Sequence, residues 1–423
     1  MNCYEDFQKR GLIETESHEE IKEALDNKSL SFYVGYDPTA KSLQIGNLFC
    51  VITMMRLQRY GHKPYVLVGG ATGMIGDPSG KNAERNLLNE EILNENINGQ
   101  RVQLEKLLDF NCGDNSAVMV NNYDWMSGFS FLNFLRDVGK RFRLSDMLAK
   151  DSVKSRLNSE AGISFTEFAY QMLQAYDFAH LNKTYGVSLQ LGGGDQWGNI
   201  TAGIDLTRKL HSNQVFGLTI PLVTDSQGKK FGKSEGGQTI YLDPSMTTPY
   251  KMYQYLVNTD DSCVEKYLHY FTFLSHVDME KIIADSKETP HLRIGQKVIA
   301  EEVTKLVHGE EGLASAVRAT KFFFGEKIEN VSDADVASIF EDIPSVNLSS
   351  DYLNDGNIIE MLSETPLFKS KKEIRRAVDQ KGIYINNVAI TGSEQTLSKS
   401  DLASETALVL RKGKKNYCVV KFS

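Results

Sequence analysis

Residues 31–81, SFYVGYDPTAKSLQIGNLFCVITMMRLQRYGHKPYVLVGGATGMIGDPSGK, read in order as strand, glycine-bearing loop, helix, strand and second glycine-rich loop. Phe32 to Tyr36 is rich in aromatics and includes β-branched Val34, and it stops at Asp37-Pro38, a pair that favours a turn over continued strand. A helix is expected to start close to Gly46, with Leu48, Val51, Ile52 and Met55 at helical spacing. It should end near Tyr60-Gly61, where glycine suits a left-handed cap. Tyr65 to Val68 is then a second short buried strand. Strand, helix and strand in this span imply a right-handed parallel βαβ unit.

Parallel strands gather their loops and helix N-termini at one end of the sheet, where unpaired N–H groups and the helix dipole attract phosphate. A ligand is therefore expected over residues 35–47 and 69–80. Gly69, Gly70, Gly73 and Gly76 would let backbone approach a ligand closely, and Asp77 follows them as a charged group. The alternative is a glycine-rich turn with no ligand.

With 423 residues the chain is long enough for two or three domains, and its apolar (41%) and charged (24%) fractions are those of an ordinary globular protein. The longest apolar run, Leu48 to Met55, is too short to cross a bilayer, and MNCYEDFQKR does not read as a signal peptide, so a cytoplasmic protein without membrane contact is expected. Five scattered cysteines with no Cys-x-x-Cys pair suggest neither a disulfide framework nor structural zinc, and the histidines lack the spacing of a protein-held catalytic metal. The net charge of −8 hides an asymmetry: residues 366–423 hold 12 Lys or Arg against 5 Asp or Glu. Such a tail either binds a polyanion or is a solvated basic face.

Along the chain, residues 2–30 read as polar amphipathic helices with Leu12, Ile13, Ile21 and Leu25 as their packing positions. Residues 90–110 read as helix, and 117–120 as a third strand that delivers Asn122 and Trp125 to the binding end of the sheet. Two more helices are expected over 129–150 and 164–181. On the second, Tyr170, Gln174 and Asp177 share one face, either a solvent stripe or a polar strip in a cavity. Strand 187–191 leads into GGGDQWGN, whose Asp195 suits ribose hydroxyls. After strand 218–223 comes DSQGKKFGKSEGG, a lysine-bearing segment suited to developing phosphate charge. The expected organisation is an α/β catalytic domain over 1–235, a helical domain over 236–325, an acidic linker over 326–355 and a small basic α/β domain over 356–423.

These motifs together, YVGYDPTAKSL, VGGATGMIGDPSGK, NNYDW, GISFTEFAYQMLQAYDF, GGGDQWGNITAGIDLTRKL and KFGKS in one order, resemble the bacterial tyrosyl-tRNA synthetase family along essentially the whole chain. The resemblance implies a Rossmann-like class I synthetase domain with a parallel sheet, a helical anticodon-region domain and a small RNA-binding domain. It implies a homodimer with residues 122–158 at the interface, and L-tyrosine, Mg-bound ATP and tRNA(Tyr) as partners. By the same resemblance Tyr33 and Asp177 take the substrate phenol oxygen; Asp77, Tyr170 and Gln174 take the α-ammonium; and Gln196 takes the carboxylate. Gly35, Asp37, Gly193 and Asp195 fall on the adenosine side, Thr39, Lys81 and Arg85 on the pyrophosphate side, and Gly46 among the ATP-binding positions. Lys230, Lys233 and Ser234 match the family's KMSKS loop. The basic tail then becomes an RNA-binding candidate through Lys371, Lys372, Arg375, Arg376, Arg411, Lys412, Lys414 and Lys415.

The chain departs from the family at its HIGH signature, which here is Gln44-Ile45-Gly46-Asn47. Each amide keeps an N–H donor for phosphate but cannot become cationic. Losing one such donor typically costs about 3 kcal/mol in a transition state, so good amide geometry decides whether activation survives. Three readings follow: a working ligase, an enzyme using tyrosyl-adenylate for another acceptor, and a non-catalytic RNA-binding protein on the same scaffold.

Overall fold

The computed structural model describes every residue except 28, 80–87, 158–161, 234–236, 324, 329–330, 342 and 414–415. In it the chain divides into two compact units, one built from 1–247 with 258–302 and the other from 248–257 with 303–423.

The first unit contains strands β1 (Thr15–Glu16), β2 (Ser31–Tyr36), β3 (Lys63–Val68), β4 (Val118–Asn121), β5 (Leu189–Gly193) and β6 (Phe216–Ile220), in the sheet order β1-β6-β5-β2-β3-β4. Strands β2 to β6 pair in parallel, and β1 runs antiparallel along the β6 edge. Helices Ile45–Arg59, Glu90–Leu107, Phe165–Tyr185 and Trp197–His211 lie on the connections. From β2 the chain steps outward to β3 and β4, then returns to β5 on the other side of β2. The reversal opens a crevice at the carboxyl ends of β2 and β5, where such sheets take ligands.

Helix Ile45–Arg59 is buried along most of its length, including Leu48, Val51, Ile52 and Met55, so it shows little polar face. The sheet covers one side and helix Val264–Phe271 the other, with the Phe49 ring stacked 4.6 Å from Tyr270. It ends at Tyr60 before Gly61, whose φ is +91°. Leu12, Ile21 and Leu25 are buried as expected of packing positions. The 129–150 segment is not one helix. It forms Phe131–Asp137, a 3₁₀ turn Gly139–Arg141 and Leu144–Leu148, with the poor helix former Gly139 in the break.

In the second unit, β7 (Ser345–Leu348), β9 (Ile383–Ile385), β10 (Val388–Ala389), β12 (Ala407–Lys412) and β13 (Asn416–Phe422) form a sheet ordered β10-β9-β12-β13-β7, and β8 (Asn354–Asn357) pairs with β11 (Thr396–Ser398). The 326–355 stretch, expected to be a linker, contributes instead to this unit's core. Ile328, Val331, Val336, Ile339 and Phe340 pack with Phe322, Val409 and Val419, and β7 extends the sheet. Its acidic and serine residues suggest a solvated connection, but its apolar residues decide the packing. Helix Ile294–Phe323 is interrupted at Gly309, whose φ of 75° and ψ of −178° are not helical.

Helix Phe165–Tyr185, which carries the polar stripe, is strongly anchored. Ser164 and Glu167 form a capping box, and Gly186 at φ 69° ends the helix in a left-handed cap. Glu167 also receives two hydrogen bonds from Arg156, at 2.7 and 2.9 Å, with both side chains only 3% exposed. Removing one partner of a buried pair strands the other charge, so Glu167→Ala should lower unfolding stability by about 3–5 kcal/mol in a urea titration.

Candidate active site

Tyr33 lies in the middle of β2 and is 1% exposed, its ring 5.3 Å from Phe178 of the 165–185 helix. Its hydroxyl has no hydrogen-bond partner among the described residues. On the facing helix, Asp177 is also 1% exposed. Asn122 donates through Nδ2 to one Asp177 oxygen at 3.0 Å, and Trp125 donates through Nε1 to the other at 2.9 Å. Burial pushes the Asp177 carboxyl up to about 7, and the two donors hold it back by favouring the ionised form. Burial, with the nearby Asp177 charge, also raises the Tyr33 phenol well above its usual range.

The site therefore offers an orphaned hydroxyl beside a buried carboxylate, a pair suited to a neutral O–H on a ligand. The sequence places Asn122 and Trp125 at a strand end, and the structure adds their hold on Asp177. The signal for them is their position at the carboxyl end of β4.

One helical turn along, Gln174 and its neighbours form a second cluster. Gln196 donates to Asp77 Oδ2 at 2.6 Å and accepts from Gln174 Nε2 at 3.1 Å. Asn199, 6% exposed, donates to Gln174 Oε1 at 3.0 Å and Gln196 Oε1 at 3.2 Å. Asp77 Oδ1 accepts from the Ser79 N–H at 2.9 Å. These bonds fix which end of each amide faces which neighbour. Tyr170 departs from its expected companions and donates to Asp37 Oδ2 at 2.9 Å, while Thr72 donates to Asp37 Oδ1 at 2.8 Å. Asp37, expected on the adenosine side, thus links the turn after β2 to the helix.

The glycines act differently from the expectation. A Cβ on Gly69 would lie 2.3 Å from Asp37 Oδ1 and 2.4 Å from Thr72 Oγ1, and one on Gly70 would lie 2.3 Å from Asn121 Oδ1. These glycines admit the protein's own polar side chains against the backbone. Gly35, in contrast, is exposed near the carboxyl end of β2, and a Cβ there would meet only Leu67 Cδ2, at 3.5 Å.

Around the helix N-terminus, Asn47 Oδ1 accepts from the Gln44 N–H at 3.1 Å, which leaves its Nδ2 free of that bond and able to donate outward. Gly46 packs under the 231–233 segment: a Cβ there would meet Phe231 O at 3.3 Å. Lys233 pairs strand-fashion with Thr239 and is exposed, as is Thr39. Lys230 approaches Asp195 at 3.6 Å, and burial, opposed by that lysine, raises the Asp195 carboxyl. Gly193 closes β5 beside them. Lys81, Arg85, Ser234, Lys414 and Lys415 lie outside the described residues.

In the second unit, helix Lys371–Asp379 buries Ile374 and Val378 and exposes Lys371, Lys372, Arg375 and Arg376. Lys371 is 3.3 Å from Glu360. Lys412 is already engaged by Glu373 at 2.6 Å and by the Leu367 carbonyl at 2.8 Å, and Arg411 stacks on Tyr384 at 3.8 Å.

The raised Asp177 value has a stability consequence. Its folded pKa lies above the ordinary value of 3.8, so the folded chain holds a proton that the unfolded chain releases, and stability from this group is lost as pH rises from about 4 through about 7. Asp177→Asn removes that dependence. The melting temperature of the variant minus that of the parent should therefore rise steadily from pH 4 to pH 8, whatever its constant offset.

Comparison with known proteins agrees with this arrangement. A family model described as tRNA synthetases class I (W and Y) matches residues 25–325, and one described as the tyrosine–tRNA ligase SYY-like C-terminal domain matches 335–420. A tyrosine–tRNA ligase of Roseiflexus castenholzii is 47% identical over 414 residues, 97% of each chain. One of Klebsiella pneumoniae is 45% identical over 424 residues, 100% of this chain and 98% of that one. Among solved structures, a C-terminally truncated mitochondrial tyrosyl-tRNA synthetase of Aspergillus nidulans superposes with a TM-score of 0.68 at 29% identity, covering 76% of this chain and 93% of that one. With its domains and its full length matched in this way, the chain belongs to the tyrosine–tRNA ligase family of class I aminoacyl-tRNA synthetases.

Proposed function

We propose that this ligase activates L-tyrosine with Mg-bound ATP in the crevice over β2 and β5 and then transfers the tyrosyl group to tRNA(Tyr). The observation that carries the residue assignment is the buried Tyr33 hydroxyl without a partner, beside the Asp177 carboxylate. The substrate phenol donates to Asp177 and accepts from Tyr33. Phenylalanine would leave the Tyr33 hydroxyl buried without a partner and Asp177 with only its Asn122 and Trp125 donors, a penalty against a side chain that lacks the hydroxyl. Asp77 and Gln174, with Tyr170 near, take the ammonium, and Gln196 uses its remaining N–H toward the carboxylate.

The reaction is a displacement. A tyrosine carboxylate oxygen attacks the α-phosphorus, the bond to the bridging oxygen breaks, and pyrophosphate leaves with its electron pair. The 3′-terminal ribose hydroxyl of tRNA next attacks the tyrosyl carbonyl, AMP leaves, and the hydroxyl proton is released. A carboxylate needs no base to attack, so positioning and charge stabilisation carry the first step. Asp195 holds ribose, Gly35 and Gly193 let the nucleotide lie on the backbone, and Gly46, at the helix N-terminus, turns N–H groups toward phosphate. Gln44 and Asn47 donate to the phosphates, with Asn47 aimed by its own bond to the Gln44 N–H. Lys230 and Lys233 meet the departing pyrophosphate, with Thr39 on the same side. Lys81, Arg85 and Ser234 are assigned there by sequence alone.

A homodimer is supported by Tyr123, Phe131, Leu132, Leu144, Leu148 and Leu157, which are between 37% and 77% exposed along one stretch. No helix among the described residues is long and apolar enough to cross a membrane.

Tyrosine-dependent ATP–pyrophosphate exchange should be robust in the parent protein. Gln44→His with Asn47→His should change it by less than about tenfold, and Asn47→Ala should slow it by about 10²–10³. Absent exchange in the parent would favour the RNA-binding reading. Separately, Arg375→Glu with Arg376→Glu should weaken tRNA binding and reduce the salt slope by about 1 to 2 without touching exchange.

A further inference from the structure

We propose that Glu14 is a further residue of the nucleotide subsite, its carboxylate accepting a hydrogen bond from a ribose hydroxyl of ATP beside Asp195. The inference rests on the reading of the crevice as an ATP site and adds to it a residue from the far edge of the sheet.

The topology brings Glu14 there. Because β1 runs antiparallel to β6, with Thr15 opposite Thr219, the start of β1 lies at the carboxyl end of the parallel strands, where the ligand crevice opens. The Glu14 N–H donates to the Thr219 carbonyl at 2.9 Å, fixing the backbone at that point. Its side chain reaches across to the turn Gly194–Gln196 that follows β5. A Cβ built on Gly194 would lie 2.0 Å from Glu14 Oε2, 2.7 Å from Cδ and 2.8 Å from Oε1. The carboxylate thus occupies the space that a side chain at 194 would take and would have to swing aside for one.

Asp195 is the next residue, its Oδ1 3.0 Å from the Cβ position of Gly193. Two carboxylates therefore flank one turn of backbone. Lys230, 3.6 Å from Asp195, offsets part of the pair's charge, and the vicinal 2′- and 3′-hydroxyls of a ribose supply two neutral O–H donors for two acceptors. Glu14 is exposed, and its carboxylate oxygens make no hydrogen bond with the described residues, so both remain available to a ligand.

The test is pyrophosphate exchange on the full-length protein with ATP, 2′-deoxy-ATP and 3′-deoxy-ATP, for the parent, Glu14→Ala, Gly194→Ala and the double variant. Glu14→Ala should raise KM for ATP about tenfold, the size of one hydrogen bond to a charged acceptor, and leave KM for tyrosine unchanged. The preference for ATP over one of the two deoxy analogues should collapse in that variant. Gly194→Ala displaces the carboxylate, so it should raise KM for ATP similarly, and the double variant should be no worse than either single one. If Glu14→Ala keeps the parent's KM for ATP and its preference over both analogues, or if the two substitutions add, the inference is overturned. No exchange in the parent would instead overturn the ligase reading on which it rests.

Discussion

The site depends on keeping one carboxylate ionisable in an almost dry place. Asp177 sits between helix and sheet with its two oxygens held by Asn122 and Trp125, one at 3.0 Å and the other at 2.9 Å. An unpaired charge there would be expelled or neutralised, and burial pushes the carboxyl up against the two donors that favour its ionised form. The two N–H donors bring its value to about 7, within reach of ionisation under physiological conditions. The hydrogen-bonded carboxyl is thus made by the segment that ends β4 and the helix together, and neither could make it alone.

Much of the first unit follows from holding those pieces in register. Asn122 must sit just past the end of β4, so β3 and β4 must pair as they do, and Asn122 itself accepts the Ala71 N–H at 2.7 Å to tie the strand end to the neighbouring loop. The 165–185 helix must not rotate, and the Arg156–Glu167 pair with the Ser164 cap fixes its first turn. Tyr170, Gln174 and Asp177 then face Asp37, Gln196 and Asn122 in turn along one side of that helix. Polar side chains at this density remain compatible with a folded core because most are hydrogen-bonded to one another; among the described residues the Tyr33 hydroxyl, and Gln190 Oε1 on the paired strand, are left for a ligand to meet.

The βαβ unit was legible because hydrophobic period and turn chemistry agreed: Val34 and its aromatic neighbours for the strand, Asp37-Pro38 for the stop, Gly61 for the helix end. The helical stripe of Tyr170, Gln174 and Asp177 was legible too, since spacing alone puts the three on one face. What spacing does not encode is which distant residue meets them. Nothing local to Asn122 or Trp125 points at Asp177, and nothing local to Gly69 points at the Asp37–Thr72 bond it makes room for. The 326–355 stretch shows the same limit in the other direction. Its charge suggested solvent, whereas five apolar residues scattered through it settle into a core supplied by segments far away in sequence.

The most direct measurement is the ratio of kcat/KM for tyrosine to that for phenylalanine in pyrophosphate exchange, for the parent, Tyr33→Phe and Asp177→Asn. With the phenol held between Tyr33 and Asp177, the parental ratio should be about 10⁴–10⁵ and should fall tenfold or more in each variant through loss of tyrosine activation. A ratio that is unchanged in both variants would contradict the account, because the phenol would then be read somewhere other than between Tyr33 and Asp177.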